Sequence, residues 1–224
     1  VFCFDEINEM QKDDAKYIGE CLENGECHIA KAMNALVKTD AALLGACNPD
    51  KGSFKTDQDA KPLENQVSIP EAILSRFDLK IIMRDIQSEE RDREIAEFMS
   101  EQYLPDGDCV LGEFISAEWL RKYLVVADTV IPVATRESNK VLDDYFVRIR
   151  KEFSNSDNMK VTKRQHRALH LLSEAHAKVR LSETVDVQDA QAAVDLFDMC
   201  LRNLDISAAI SGDPVSRKTK GSLP

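Results

Sequence analysis

Val1-Phe2-Cys3-Phe4-Asp5-Glu6 is an apolar run that ends on two adjacent carboxylates. That pattern fits a buried parallel strand whose C-terminal tip holds acids over a nucleotide. In phosphate-ester hydrolysis the first such acid, here Asp5, holds Mg²⁺ directly or through water. The second, Glu6, polarises the attacking water. Cys47-Asn48-Pro49 closes a second apolar run. A neutral Asn48 there can hydrogen-bond a γ-phosphate or its water without adding negative charge. In Leu74-Ser75-Arg76-Phe77-Asp78-Leu79, Arg76 stands at a helix end before a third apolar run. An arginine there is expected to point out of its own subunit and stabilise a neighbour's transition state. Thr162-Lys163-Arg164-Gln165 opens a helix and offers a second guanidinium. The helix dipole disfavours a cation in a first turn, which an anion-binding role for Arg164 would explain.

Taken singly, each signal has a plainer reading. Asp5-Glu6 can be a solvated loop start, and Asn48-Pro49 a turn. Arg76 can pair with Asp78 or another surface acid. His166, His170 and Glu174 lie a turn apart and read as a helix face rather than a metal site, since no fourth ligand is suggested. No phosphate-wrapping G-x-x-x-x-G-K-[S/T] occurs in the chain; the nearest string, Lys51-Gly52-Ser53, lacks its order and spacing. The first residue is not Met and falls inside a strand run. The expectation is the back half of a nucleotide-hydrolysing module, with very low ATP affinity by itself.

The elements that must position these residues follow from periodicity. Val1–Asp5, Ala41–Cys47 and Leu79–Met83 are short continuous apolar runs. They predict strands covered on both faces, as in a parallel α/β sheet. Asp13–Leu22 predicts a helix between the first two. Ser68-Ile69-Pro70-Glu71 predicts a capped helix start, with Glu71 reaching back to Ser68. After Asp85 amphipathic helices take over: Ser88 to about Gln102, Ser116 to Val126, and Thr135 to Phe153. Thr162-x-x-Gln165 is a capping box for the next helix, and a last one starts near Asp186. Trp119 and Tyr123 share a helix face, and Glu89–Glu94 reads as an exposed face with close ion pairs. The expected fold class is α/β: a partial parallel sheet of P-loop type that lacks its phosphate-loop strand, followed by an all-α lid. The divisions are 1–86 for the α/β core, 87–206 for the lid and 207–224 for a linker or disordered tail.

The 224 residues are 43% hydrophobic and 31% charged, which supports a packed core. A formal net charge of −11 excludes the whole chain as an electrostatic footprint for nucleic acid, so DNA must be met by a local basic element. Six cysteines without a C-x-x-C pair fit reduced, packed thiols. No apolar stretch is long enough to span a bilayer, and membrane partners are not expected.

Several strings together resemble the minichromosome maintenance (MCM) helicases, a AAA+ family of archaea and eukaryotes. They are Phe4-Asp5-Glu6-Ile7-Asn8-Glu9-Met10, Ile29-Ala30-Lys31-Ala32, Ala46-Cys47-Asn48-Pro49 and Leu74–Leu79. Glu90–Ala96, Arg164-Gln165 and Leu172–Leu181 continue the series, in the family's order, over about Val1 to Leu204. The resemblance implies that Asp5 and Glu6 are the Walker B acids and Asn48 is sensor 1. Arg76 would be the arginine finger and Arg164 sensor 2, both acting across a subunit interface. It also implies ATP and Mg²⁺ as cofactors, a homo- or hetero-hexameric ring, and DNA in the pore. The compartment would be the cytoplasm in an archaeon or the nucleus in a eukaryote. Lys31, and Lys38 as the cation at a hairpin tip, would contact DNA. The chain departs from the pattern in that hairpin, which is about one residue short, with Met33 for the usual Gly and Asp40 for a common basic residue. Two other readings stay open. One is an inactive ring subunit that lends Arg76 and Arg164 to active neighbours, and the other is a different AAA+ remodelling ATPase.

Overall fold

The structure, a computed structural model, describes residues 1–29, 35–39, 42–55, 63–83, 88–101, 103, 115–154 and 161–204. In chain order the elements are β1 (Phe2–Phe4), α1 (Lys12–Asn24), β2 (Glu26–Ile29), β3 (Ala35–Lys38), β4 (Leu43–Gly45) and α2 (Glu71–Leu74). After these come α3 (Glu89–Glu101), α4 (Ala117–Asp128), β5 (Val133–Ala134), α5 (Arg136–Glu152), α6 (Lys163–Val179), β6 (Thr184–Val185) and α7 (Val187–Leu204). The predicted 207–224 tail lies outside the described residues. The chain divides into two compact units. One comprises the described parts of Val1–Ile82, Asp143–Leu169 and Val194–Pro224; the other, those of Met83–Leu142 and His170–Ala193.

In the first unit β1 and β4 run parallel, with Phe2 opposite Leu43, Cys3 opposite Leu44 and Phe4 opposite Gly45. α1 joins β1 to the β2–β3 hairpin. It stops at Gly25, whose φ of 65° is the left-handed conformation that ends helices, and whose N–H donates to Cys21 O at 3.0 Å. The hairpin is antiparallel, from Glu26 opposite Lys38 at its base to Ile29 opposite Ala35 nearest the turn. Thr39 N donates to Gly25 O at 2.7 Å and closes that base. Ile7, Ile73, Tyr145, Ile149, Leu169, Val194, Phe197 and Leu201 are buried in this unit. Tyr145 meets Phe197 edge-on and donates its hydroxyl to Asp198 at 3.2 Å. Burial, then the adjacent Asp198 carboxylate, pushes its phenol far above the ordinary range. The capping box is present: Thr162 N donates to Gln165 Oε1 at 2.8 Å.

In the second unit Ser116 caps α4, accepting from Trp119 N at 3.2 Å. Trp119 and Tyr123 stack at 5.1 Å between centroids, and the Tyr123 hydroxyl donates to Val179 O. The expected exposed pair on α3 joins Arg93 to Glu89. β5 and β6, two residues each and not foreseen from the sequence, pair in parallel. Their link is reinforced by Thr135, which donates its hydroxyl to Val185 O at 3.0 Å.

Asp189 is the polar hub of this unit and is fully buried. Arg180 donates Nε to its Oδ1 and Nη2 to its Oδ2, both at 2.8 Å, and His176 Nδ1 lies 2.7 Å from Oδ1. The Asp186 N–H completes the set at 2.8 Å, which starts α7. Burial opposes the charge, but the Arg180 and His176 hydrogen bonds outweigh it and hold this carboxyl well below the usual carboxylate range.

Four sequence expectations need correction. Leu79–Met83 is not a strand: β1 and β4 form a two-stranded sheet, and Ile81 and Met83 are 61% and 87% exposed. β1 and β4 are not covered on both faces, since Phe2, Phe4 and Leu44 are exposed. Ile7 and Phe77 reach Gly45, so neighbouring elements cover this pair only in part. No side chain caps α2: its N-cap position is Pro70, whose carbonyl accepts the first-turn bonds from Ile73 N and Leu74 N, so Ser68 lies two residues too early to form the expected box with Glu71. Lys38 does not sit at a hairpin tip. The register puts it at the base, opposite Glu26, and Lys31 lies outside the described residues.

Asp189→Asn removes the charge from a buried site while Arg180 stays charged, so it should cost about 2–3 kcal/mol. The native carboxyl titrates below its unfolded value, so its stabilisation is full above the unfolded pKa of about 3.9 and fades as pH falls below it. Urea unfolding from pH 7 down to pH 3 checks both: the gap between native and variant should narrow with acid.

Candidate functional site

Parallel pairing sends both strand tips to one edge. Ala46 N donates to Phe4 O at 2.8 Å, and Ile7 N returns to Ala46 O at 3.0 Å. Asp5 and Glu6 therefore flank Ala46, and Asn48 comes two residues later in the chain. All three side chains are exposed. Asp5 Oδ1 accepts from Glu6 N at 3.0 Å, and Oδ2 has no hydrogen bond among the described residues. Glu6 has φ 54° and ψ 44°, a left-handed conformation that a side chain with a Cβ rarely adopts. The chain thus turns sharply off β1 at a candidate water-orienting carboxylate, and strain of this kind gathers at functional positions. Burial, then the Asp50 charge, pushes the Cys47 thiol up, which disfavours the reactive thiolate.

The two arginines form a second group. Arg164 donates Nη1 to Ser75 O at 2.7 Å, with Ser75 Oγ at 3.3 Å. Arg76 is the next residue, so one turn after α2 carries both guanidinium groups. Phe77 is next and reaches Gly45 of β4 at 3.6 Å from the position a Cβ would take, which ties this turn to the strand pair. Asp78 is raised by desolvation, against the opposing charges of Arg167 and Arg164. Beside Arg164 opens a cavity of about 860 Å³, with Ser75, Asp78, Lys80 and Lys163 on its polar side. Among the described residues no hydrogen bond joins the arginine group to Asp5, Glu6 or Asn48.

Arg76 departs from the expectation that it points outward. Its side chain is only 19% exposed and lies over α1, where it forms an ion pair with Glu23. Nη1 donates to Ala72 O at 2.6 Å. Gly19 makes the path: a Cβ there would stand 3.3 Å from Arg76 Nη1. Glu23 is one helical turn beyond Gly19, on the same face of α1. The Arg76 hydrogen bond and charge, with Arg164 adding to them, hold the Glu23 carboxyl below its usual range. Sequence reasoning does not single out Glu23 or Gly19. A glycine inside an amphipathic helix, four residues before an acid, is the available signal. His166, read as part of a helix face, has Nε2 2.7 Å from Asp143 Oδ1 and packs on Phe146.

Residues 1–103 match the family model described as the MCM P-loop domain, and residues 118–201 match the MCM AAA-lid domain. The minichromosome maintenance protein MCM of Saccharolobus solfataricus is 32% identical over 229 residues, 96% of this chain and 32% of the relative. An uncharacterized MCM-type protein of Methanocaldococcus jannaschii is 31% identical over 215 residues, 90% of this chain and 30% of the relative. The DNA replication licensing factor MCM3 of Gallus gallus is 33% identical over 247 residues, 88% of this chain and 30% of the relative. The chain thus spans about a third of the length of the curated relatives it matches.

Glu6→Gly should remove the left-handed strain and raise stability by about 1 kcal/mol or less, because glycine also gains freedom when unfolded. A urea midpoint lower than that of the native chain would contradict the strain at this position.

Proposed function

Because the chain belongs to the MCM family, we propose that it supplies the acidic and arginine-bearing parts of an ATP-hydrolysing module in a hexameric DNA helicase of replication. The observation that carries this reading is the parallel pairing of β1 with β4, which sets Asp5 and Glu6 beside Ala46, two residues before Asn48 in the chain. Glu6 orients the attacking water for in-line displacement at the γ-phosphate. Asn48 hydrogen-bonds that phosphate without adding charge. The exposed Asp5 carboxylate suits a hard divalent cation. Mg²⁺ held there would offset charge on the phosphate oxygens.

Arg76 and Arg164 act on a nucleotide bound by the adjacent subunit, where they balance charge in the transition state. Their convergence on the Ser75–Arg76 turn supports a joint role, since a triphosphate has room for two guanidinium groups. A chain that carries acids for one pocket and arginines for the next works in a closed ring. DNA is met by the segment that carries Lys31, which lies outside the described residues. Lys38, exposed at the hairpin base opposite Glu26, is the lesser contact. Among the described residues no helix is long and apolar enough to cross a membrane. The compartment that goes with this reading is the archaeal cytoplasm or the eukaryotic nucleus.

The test is complementation. This chain is mixed with an MCM protein that carries G-x-x-x-x-G-K-[S/T] and whose own arginine finger has been replaced by alanine. The native chain should restore ATP hydrolysis, and Arg76→Ala should not, since loss of an arginine finger costs about 10³–10⁵ in rate. Equal rates with both would refute the role given to Arg76.

A further inference from the structure

Arg76 is seated rather than extended. Its side chain is four-fifths covered, with Nη1 on the Ala72 carbonyl and Nη2 on Glu23. Gly19 leaves the groove in which it lies. The seat is imperfect, because Arg76 Nε is buried with no partner among the described residues. A buried donor without an acceptor is unfavourable, so part of what the seat gives is lost again. Glu23 itself is half exposed, and an ion pair so placed is weak in water. Its carboxylate also senses the positive charge of Arg164. Glu23 is therefore an anion that answers to both arginines of the candidate site. Asp78 shares the charge of Arg164, but the carboxylate bonded to Arg76 is that of Glu23.

We infer that Glu23 is a positioning residue that holds Arg76 on its own subunit and gives it up to a phosphate arriving on a neighbouring chain. This rests on the reading of Arg76 as a finger that acts across an interface. A triphosphate carries more charge than a carboxylate and offers paired oxygens to a guanidinium, so it outcompetes Glu23 for the same N–H edge. In the absence of a neighbour's nucleotide the finger stays folded over Gly19. Glu23 acts only through Arg76 and touches no reacting atom.

Two readouts on the full chain test this. The first is the rate at which phenylglyoxal modifies Arg76, followed by peptide mass spectrometry, with Arg93 as an exposed reference. Glu23→Gln should raise the Arg76 rate several-fold and leave Arg93 unchanged. An unchanged Arg76 rate overturns the inference. The second is the complementation assay above. Glu23→Gln should restore hydrolysis at lower chain concentrations than the native chain, and adding Arg76→Ala should abolish the effect. If Arg76 reacts faster but complementation weakens, Glu23 aligns the finger instead of restraining it, and the inference fails. If Arg76→Ala complements as well as the native chain, the finger reading fails, while the modification rates still decide whether Glu23 holds the guanidinium.

Discussion

A parallel strand pair of three residues each fixes the acidic end of this molecule. Parallel pairing leaves no choice about direction: both C-terminal tips must emerge on one edge. Antiparallel pairing of the same two segments would send Asp5-Glu6 and Asn48 to opposite ends. The register then sets the spacing, with Ala46 bonded to the chain on both sides of the two acids. The exit from β1 is equally constrained. Glu6 enters the left-handed region, so the main chain leaves the strand abruptly and returns through Ile7 to the residue after β4.

The cationic end depends on a different kind of link. Arg164 lies in the first turn of α6, and its contact with the Ser75 carbonyl joins residues 89 positions apart. The capping box of Thr162 and Gln165 sets where α6 begins, and so where that side chain starts from. Arg76 is seated by a glycine and an acid on α1. Long-range polar contacts therefore position the two arginines, whereas backbone pairing positions the two carboxylates beside Ala46. The first arrangement can be exchanged at low cost, and the second cannot.

The legibility of the chain divides along the same line. Helix starts with local chemistry are readable: Ser116 and Thr162-x-x-Gln165 act as their sequences say. The strands β1 and β4 are readable from apolar runs closed by polar residues, although their exposure is not. Leu79–Met83 has the same texture but finds no strand partner among the described residues, because composition specifies an apolar segment and not its neighbour. The site residues are legible as types at strand and helix ends. The orientation of Arg76 is not, since it is decided by Gly19 and Glu23, more than fifty positions upstream. Lys38 is misplaced for a related reason. Hairpin register depends on where the turn closes, and sequence alone marks that point weakly here.

The ladder between β5 and β6 bears on how the helical unit assembles. Thr135 and Val185 meet across 50 positions. Closing such a loop costs about 3.5 kcal/mol of chain entropy, which two residues of pairing do not offset alone. The ladder is therefore held only together with the contacts around it, among them the Thr135 hydroxyl bond to Val185 O. Its amides at Val133 and Thr135 are protected only while those contacts hold, and hydrogen exchange there would track cooperative opening rather than local fraying.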